Sequence, residues 1–543
     1  MDPTMKNRVQ TTGQEERLPV ASEEATSRAV GERPTPIMDR KVTIASLGVL
    51  AVFVLATLVF PKQSSDAINE GFAFSAKWVG IYWQALLLAT FLCSIALALT
   101  PYAKARLGGP VSPDYGRFKW VAMIMCTLLA GGGVFWAAAE PISHYISSPP
   151  YFGEPSGDPT DAANIALGQT FVHWGFLAWA ILGSLGAIVM THAVSKGMPL
   201  RPRTLLYPVM GRKVLKSWIG TVADVVCIIA VVAGTVGPIG FLGLQVSYGL
   251  SRLFGVPNNY GTQLIVIAVL TGLAALSVSS GLSKGIQLMS RLNVWLALGL
   301  MAAVLVLGSA AYIFKSFVGG FGVYLQNFVG TSLYQADQGW VSGWTVFFFA
   351  WFLGYAPLMA IFVATISRGR TVRELILFTA VLPPIVTCFW FTVLGGTGIM
   401  FEQQNPGSIS GPLASDGLPA VVMTIAEQLP FSGIIATAFL VLTIMFVATT
   451  ADSMSFSIAQ SCTIEGEPST KLRAAWAVTM GVAAAVLISI GDGGISALQS
   501  FIVITAVPVG FIILPSLFAA PVFVRRMALE QGVLDRQPRG VRP

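Results

Sequence analysis

Apolar runs long enough to cross a bilayer recur along this chain and leave little of it for any other architecture. About 20 apolar residues span the hydrocarbon core. Such runs lie near residues 42–60, 79–99, 120–140, 168–190, 219–252, 261–280, 292–314, 343–365, 373–396, 434–459, 474–491 and 497–521. Only 11% of the residues are charged and 54% are hydrophobic, whereas a soluble domain carries about 25% charged residues. A water-facing surface cannot be built from that composition. The chain reads as an all-α polytopic membrane protein of about twelve transmembrane helices.

The net charge of +7 has a topological cause and does not point to nucleic acid. Of the 33 Lys and Arg, 29 fall in the N-terminal tail, in the loops after spans 2, 4, 6, 8 and 10, and in the C-terminal tail. Only Lys62, Lys77, Arg252 and Lys315 fall on the other side. The positive-inside rule makes the basic side cytoplasmic, with both termini inside and an even number of spans. Residues 1–41 read as a disordered cytoplasmic tail, 42–524 as the transport domain and 525–543 as a short basic C-terminal tail. The five cysteines show neither metal-ligand nor disulfide spacing. They read as small apolar packing residues.

Two spans contain breaking sequences. Span 3 carries Ala130-Gly-Gly-Gly133, followed by Glu140-Pro141, and span 5 carries Gly234-Thr-Val-Gly-Pro238-Ile-Gly240. Discontinuous helices near the midplane are how secondary transporters offer backbone groups to substrates and ions. Close helix packing through small residues uses the same sequences. Between spans 7 and 8, the segment Phe317 to Val329 reads as an amphipathic interfacial helix.

Span 8 points to a substrate class. Trp344-Thr-Val-Phe-Phe-Phe-Ala-Trp351-Phe352-Leu-Gly-Tyr355-Ala-Pro357 runs into the basic turn Ser367-Arg-Gly-Arg370. Aromatic faces bind a cation that has no N–H to donate, such as a methylated ammonium or sulfonium. Enzyme chemistry finds no footing. Three scattered histidines and five scattered cysteines form no nucleophile–base or metal motif, and a Walker loop, a Gly-x-Ser-x-Gly elbow and a His-Glu-x-x-His helix are all absent. No cofactor is expected. A channel would carry a dedicated filter or a repeated pore unit, so a carrier suits twelve spans in one chain better.

Four motifs in order resemble the betaine/carnitine/choline transporter family. They are Phe135-Trp-Ala-Ala-Ala-Glu140-Pro141-Ile-Ser-His144-Tyr145, His173-Trp174-Gly-Phe-Leu-Ala-Trp179, Ala364-Thr-Ile-Ser-Arg-Gly-Arg-Thr-Val-Arg373-Glu374, and Thr449-Thr450-Ala-Asp452-Ser453. The resemblance implies a leucine-transporter-like fold, with inverted five-helix repeats over about 120–314 and 343–521 after two leading helices. It also implies alternating access, placement in a plasma (bacterial inner) membrane, and commonly a homotrimer.

By the same resemblance, the substrate cage maps to Trp174, Trp179, Leu182 and Phe352, with Trp351 and Tyr355 beside it on the permeation route. Leu182 stands where the family has a tyrosine, and Phe352 and Tyr355 stand where it has tryptophans. Those departures imply a weaker, wider cage. Backbone N–H groups at Gly131, Gly132 and Gly133 are candidates for holding a substrate carboxylate. Thr449 and Thr450 map to the family's sodium ligands, with carbonyls near Cys126 and Leu129. A second ion site maps to Val231, Thr235 and Gly354, where only Thr235 keeps a hydroxyl.

The expected activity is import of a quaternary ammonium or related onium compound (glycine betaine, choline or a carnitine-like solute) by sodium symport. The alternative is a proton-coupled or exchange carrier of the same fold for another small zwitterion, such as an amino acid or sulfonium osmolyte. Glu140, Asp224 and Asp452, with His144, His173 and His192, read as groups near span ends, where solvation is cheap.

Overall fold

The computed structural model describes residues 36–129, 132–154, 157–279, 283–490 and 494–533. Its main helices are α1 (Arg40–Val59), α2 (Pro61–Leu99), α3 (Arg117–Leu129), α4 (Phe135–Ile146), α5 (Pro159–Trp174), α6 (Phe176–Gly183), α7 (Leu185–Ser195), α8 (Trp218–Phe254), α9 (Tyr260–Ser279), α10 (Ser283–Leu307), α11 (Ala310–Ser332), α12 (Gln338–Ile366), α13 (Val372–Gln404), α14 (Val421–Gln428), α15 (Ser432–Ser461), α16 (Thr470–Ile488), α17 (Ile495–Ile513) and α18 (Pro515–Glu530). Two short strands, β1 (Ile37–Met38) and β2 (Thr463–Glu465), pair antiparallel.

Among the described residues, ten helical stretches are long and apolar enough to cross a bilayer, or eleven when a bent pair counts as one span. Every run read from the sequence is accounted for. Residues 120–140 are the broken one: α3 stops at Leu129, and α4 resumes at Phe135 after a turn. The seventh run ends at Leu307, where the chain turns 104° into α11. This α11 is the helix anticipated between spans 7 and 8.

Span 5 departs from expectation. It is one unbroken helix of 37 residues, with Pro238 inside it. Its glycines serve close packing. A Cβ on Gly237 would lie 2.7 Å from Ile502 of α17, and one on Gly243 would lie 2.8 Å from Ile267 of α9. Breaks appear elsewhere instead. Gly175 and Ser184 divide span 4 into α5, α6 and α7, and single π-helical turns interrupt α12 at Ser342–Val346 and α13 at Leu377–Val381 and Thr392–Gly396.

The segments that hold the basic residues join one another on a single face. Leu107 N–H donates to Arg370 O at 2.9 Å, Gly369 N–H to Leu107 O at 2.8 Å, and Val372 N–H to Ala105 O at 2.9 Å. Arg373 caps the end of α2, donating to Ala98 O at 2.8 Å and Thr100 O at 3.0 Å. Thr371 and Glu374 close a capping box at the start of α13. Beyond α18, Gln531 exchanges two 2.8 Å hydrogen bonds with the Arg106 backbone. Residues 525–530, assigned from the sequence to the tail, continue the last helix.

Asp39 ties the start of α1 to this face. Its carboxylate accepts from Val42 N–H at 3.2 Å as the N-cap and from Arg201 at 2.9 Å. Arg201 and Arg203 in turn pair with buried Asp224 at 3.0 and 2.7 Å. Strand β1, inside the stretch read as tail, aligns Ile37 with Glu465.

Burial pushes the Asp39 carboxyl up, but the Val42 N–H, the Arg201 hydrogen bond and the charges of Arg201 and Arg203 outweigh it, leaving the carboxyl below its ordinary value. A carboxyl lowered by folding stabilises the protein above its unfolded-state pKa, about 3.9, and that contribution disappears as pH falls through the folded-state value. Asp39→Ala should therefore cost about 1–3 kcal/mol at pH 7. In thermal unfolding in detergent, the gap to wild type should stay constant above about pH 5 and close as pH drops below about 4.

Candidate functional site

The site begins with a broken helix. Trp174 is the last residue of α5, and Gly175 (φ −91°, ψ −135°) turns the chain before α6 starts at Phe176. A Cβ at Gly175 would collide with the Phe171 carbonyl and lie 2.7 Å from the Tyr324 hydroxyl. Tyr324 is why the break is tolerated. It enters from α11, and its oxygen accepts from the freed Phe176 N–H at 2.9 Å. An unpaired peptide group inside a membrane costs several kcal/mol.

At the end of α5, Trp174 faces α12 and α13. Its ring centroid lies 6.0 Å from Trp351 and 5.2 Å from Phe352, both edge-to-face, and 4.7 Å from Phe391. Trp351 and Phe352 are near parallel at 6.2 Å. Gly132, in the span 3 break, closes the group. A Cβ there would sit 2.7 Å from Trp351 Cη2, 3.1 Å from Trp136 Cδ1 and 3.5 Å from Trp174 Cη2. Only a glycine lets the backbone meet both rings.

Trp351 is oriented by its N–H, which donates to Gly234 O at 3.0 Å. Tyr355 lies one turn further, with its hydroxyl 3.2 Å from Thr235 Oγ1. The structure therefore brings together Trp174, Trp351, Phe352 and Gly132, with Tyr355 adjoining.

The other expected positions are arranged differently. Trp179 and Leu182 are buried on α6, and Trp179 makes none of the ring contacts found among the described residues. Gly133 offers its carbonyl to Trp390 Nε1 at 2.5 Å, while Gly131 lies outside the described residues. Thr449 and Thr450 differ sharply. The Thr449 hydroxyl donates back to Met445 O at 2.8 Å and accepts from Asn293 at 3.2 Å. The Thr450 hydroxyl is buried with no hydrogen-bond partner. Cys126 and Leu129 lie in the last turns of α3, and the break that follows them includes the undescribed residues 130 and 131. Thr235, the remaining hydroxyl of the second ion site, bonds to Val231 O at 2.8 Å.

Three groups read as span-end residues prove to be fully enclosed and joined. Glu140 Oε2 accepts from Trp174 Nε1 at 2.7 Å. Glu140 Oε1 lies 2.5 Å from His173 Nδ1 and 3.4 Å from His144 Nε2. His173 Nε2 is 3.0 Å from Thr345 Oγ1, in the π-helical turn of α12, and 3.2 Å from Gln169 Nε2. Glu140 and His173 have no exposed surface. Sequence position placed these groups near helix ends, and only the packing of α4 against α5 and the α12 turn shows that those ends are covered.

The three ligand atoms lie within 4.8 Å of one another, a donor set of the kind that binds a transition metal. A tetrahedral ion at about 2.0–2.1 Å spaces its ligands about 3.3 Å apart. The 2.5 Å Glu140–His173 contact is instead a charge-assisted hydrogen bond.

Sequence reasoning missed Phe391 and Phe348. Phe348 contacts both Trp174 (5.4 Å) and His173 (5.1 Å). It was visible in the span 8 aromatic run, whereas Phe391 belongs to no motif and carries no such signal.

Comparison with known proteins agrees with this architecture. The profile of the BCCT, betaine/carnitine/choline family transporter, matches residues 41–529. Glycine betaine transporter 2 of Vibrio parahaemolyticus serotype O3:K6 is 52% identical over 486 residues, covering 89% of this chain and 90% of that protein. The glycine betaine transporter OpuD of Bacillus subtilis is 32% identical, covering 86% and 91%. An ectoine/glycine betaine/proline transporter of Corynebacterium glutamicum is 31% identical, covering 85% and 76%. With a family match spanning every transmembrane segment, a buried aromatic cluster at the helix breaks and no enzyme motif, this chain belongs to the betaine/carnitine/choline family of transporters.

Proposed function

We propose that this protein imports glycine betaine or a closely related methylated onium solute by sodium symport, working by alternating access around the Trp174 cage. The observation that carries the reading is the convergence of Trp174 with Trp351 and Phe352, both tryptophans meeting the Gly132 backbone. Such a group offers an onium several aromatic faces at once, each worth about 0.5–2 kcal/mol depending on desolvation. The names of the relatives, glycine betaine transporters among them, support the same substrate class. In this reading Trp179 and Leu182 line the next turn of the path, and Tyr355 guards it from the other side. The backbone of Gly131, Gly132 and Gly133 meets the carboxylate end of a zwitterion.

The sodium assignment rests on Thr450. A buried hydroxyl with no partner is a group waiting for one, and hard oxygen ligands suit sodium. Thr449, tied to its own helix and to Asn293, contributes less, and carbonyls near Cys126 and Leu129 complete the proposed set. The basic face is the cytoplasmic one in this reading, placing both termini inside, and the family resemblance gives a homotrimer.

Uptake of labelled glycine betaine into proteoliposomes, with and without an inward sodium gradient, tests the proposal. Trp174→Ala and Trp351→Ala should each lower kcat/KM at least about tenfold. Thr450→Ala should raise the half-saturating sodium concentration at least about tenfold, and Thr449→Ala should raise it less. Equal uptake under a proton gradient alone would replace sodium with protons. Uptake of proline but of no onium compound would favour the amino-acid carrier. Tyr324→Phe, which strands the Phe176 N–H, should lower stability by about 1–3 kcal/mol, read as a reduced melting temperature, and should weaken betaine binding with it.

A further inference from the structure

Glu140 is a buried carboxyl group whose two oxygens have hydrogen-bond partners and which, among the described residues, has no Lys or Arg beside it. Its two oxygens face Trp174, His173 and His144. The Gln169 amide nitrogen beside His173 Nε2 makes that nitrogen an acceptor, so the ring proton sits on Nδ1 and is donated to Glu140. The histidine thus serves as a neutral donor and brings no positive charge to the carboxyl group.

The charged groups on neighbouring elements are engaged elsewhere. On α13, Glu402 accepts from Gly407, Ile409 and Ser410, and Glu374 pairs with Arg117. On α14, Glu427 pairs with Arg252 of α8, and Asp224 of α8 pairs with Arg201 and Arg203. Asp337, ahead of α12, caps that helix. Among the described residues, no Lys or Arg forms an ion pair with Glu140. An anion buried this way needs a cation from somewhere.

We propose that Glu140 is a positioning residue and the fixed counter-charge of the cage. It holds Trp174 by the indole N–H, and it is balanced when an onium group sits on the face of that same indole. The inference rests on the reading of the cage as an onium site and adds to it the source of charge selectivity. A cation on the Trp174 face would stand roughly 7 Å from the carboxylate. At an effective dielectric constant near 20, the attraction is worth about 10- to 50-fold in affinity. Ring and carboxylate then act together, because an indole whose N–H is donated to an anion presents a more electron-rich face.

The test compares two ligands of one shape on the full-length protein in detergent. Glycine betaine and 3,3-dimethylbutanoate differ in having a quaternary nitrogen or a quaternary carbon, so their affinity ratio reports the value of the positive charge. Glu140→Gln keeps the volume and an acceptor oxygen for the Trp174 N–H and removes the charge, while its amide NH2 faces His173 Nδ1, which can accept it in the other tautomer. It should weaken glycine betaine about tenfold or more, leave the anionic carbon isostere, which lacks only the positive centre, within about twofold, and collapse the ratio.

Glu140→Asp should restore most of the ratio. Equal weakening of both ligands would mean a merely structural role and would overturn the proposal, as would an unchanged ratio. If Glu140→Gln does not assemble, Trp174→Phe takes its place. It keeps a ring but cannot donate to Glu140, and its ratio should fall several-fold, an unchanged ratio again overturning the proposal. Wild-type protein that binds no onium compound at all would instead overturn the cage reading itself, so the two failures are distinguishable.

Discussion

Every peptide group inside a bilayer must find its hydrogen-bond partner within the protein, and the architecture of this transporter turns on the few places where a helix fails to supply one. At Gly175 the partner is a side chain: the hydroxyl of Tyr324, carried in by a helix that leaves the span before it at 104°. That one contact joins three features of the fold. It permits the break between α5 and α6, ties α11 to that break, and lets the chain after Trp174 turn out of the helical phase of α5. The π-helical turn at Ser342–Val346 has a related effect on the facing helix, setting Thr345 against His173. Such turns recur at functional sites because they re-aim side chains without cutting the backbone ladder.

The membrane class, the apolar runs and the one-sided basic loops were legible because they are statements about composition and its placement, which lipid enforces on every residue. The aromatic run of span 8 was legible for a related reason, since so many rings in one span exceed what packing against lipid asks for. Helix continuity was harder to read. The glycines and proline of Gly234 to Gly240 and the glycine run that ends in Gly132 and Gly133 look alike as text, yet one set packs an unbroken helix against α17, while Gly132 and Gly133 sit in a turn before α4. The difference lies in what faces them: Ile502 in the first case and the Trp174 and Trp351 rings in the second. Contacts between segments hundreds of residues apart leave no local trace. For the same reason Glu140, His144 and His173 read as separate span-end groups, when the packing of α4 on α5 makes them one unit.

Burial also divides the polar groups of this protein into two kinds. On the basic face, Asp39, Arg201, Arg203 and Asp224 neutralise one another across segments far apart in sequence, and the result is a clasp between the start of α1 and the start of α8. Beside the cage, a carboxylate is surrounded by neutral donors. The first arrangement is complete in itself, as a structural network that joins distant segments should be. The second is complete in hydrogen bonds and, among the described residues, has no ion-pair partner of opposite charge, the feature from which the proposed counter-charge is argued.

If the cluster is the proposed onium cage, a counter-charge role accounts for the position of Glu140 one layer behind it. A quaternary ammonium has no N–H, so a carboxylate touching it directly gains no hydrogen bond. It would also bring its own tightly held water into a site that works by excluding water. Set behind Trp174 and held by the indole N–H, the carboxylate keeps both oxygens occupied and still projects its field through a ring that is dry on the substrate side. The aromatic face then supplies shape and dispersion while the charge supplies sign. Phe352, in place of a tryptophan, weakens the quadrupole of the cage, and a fixed charge behind the remaining indole is the one part of the arrangement that such a substitution leaves intact.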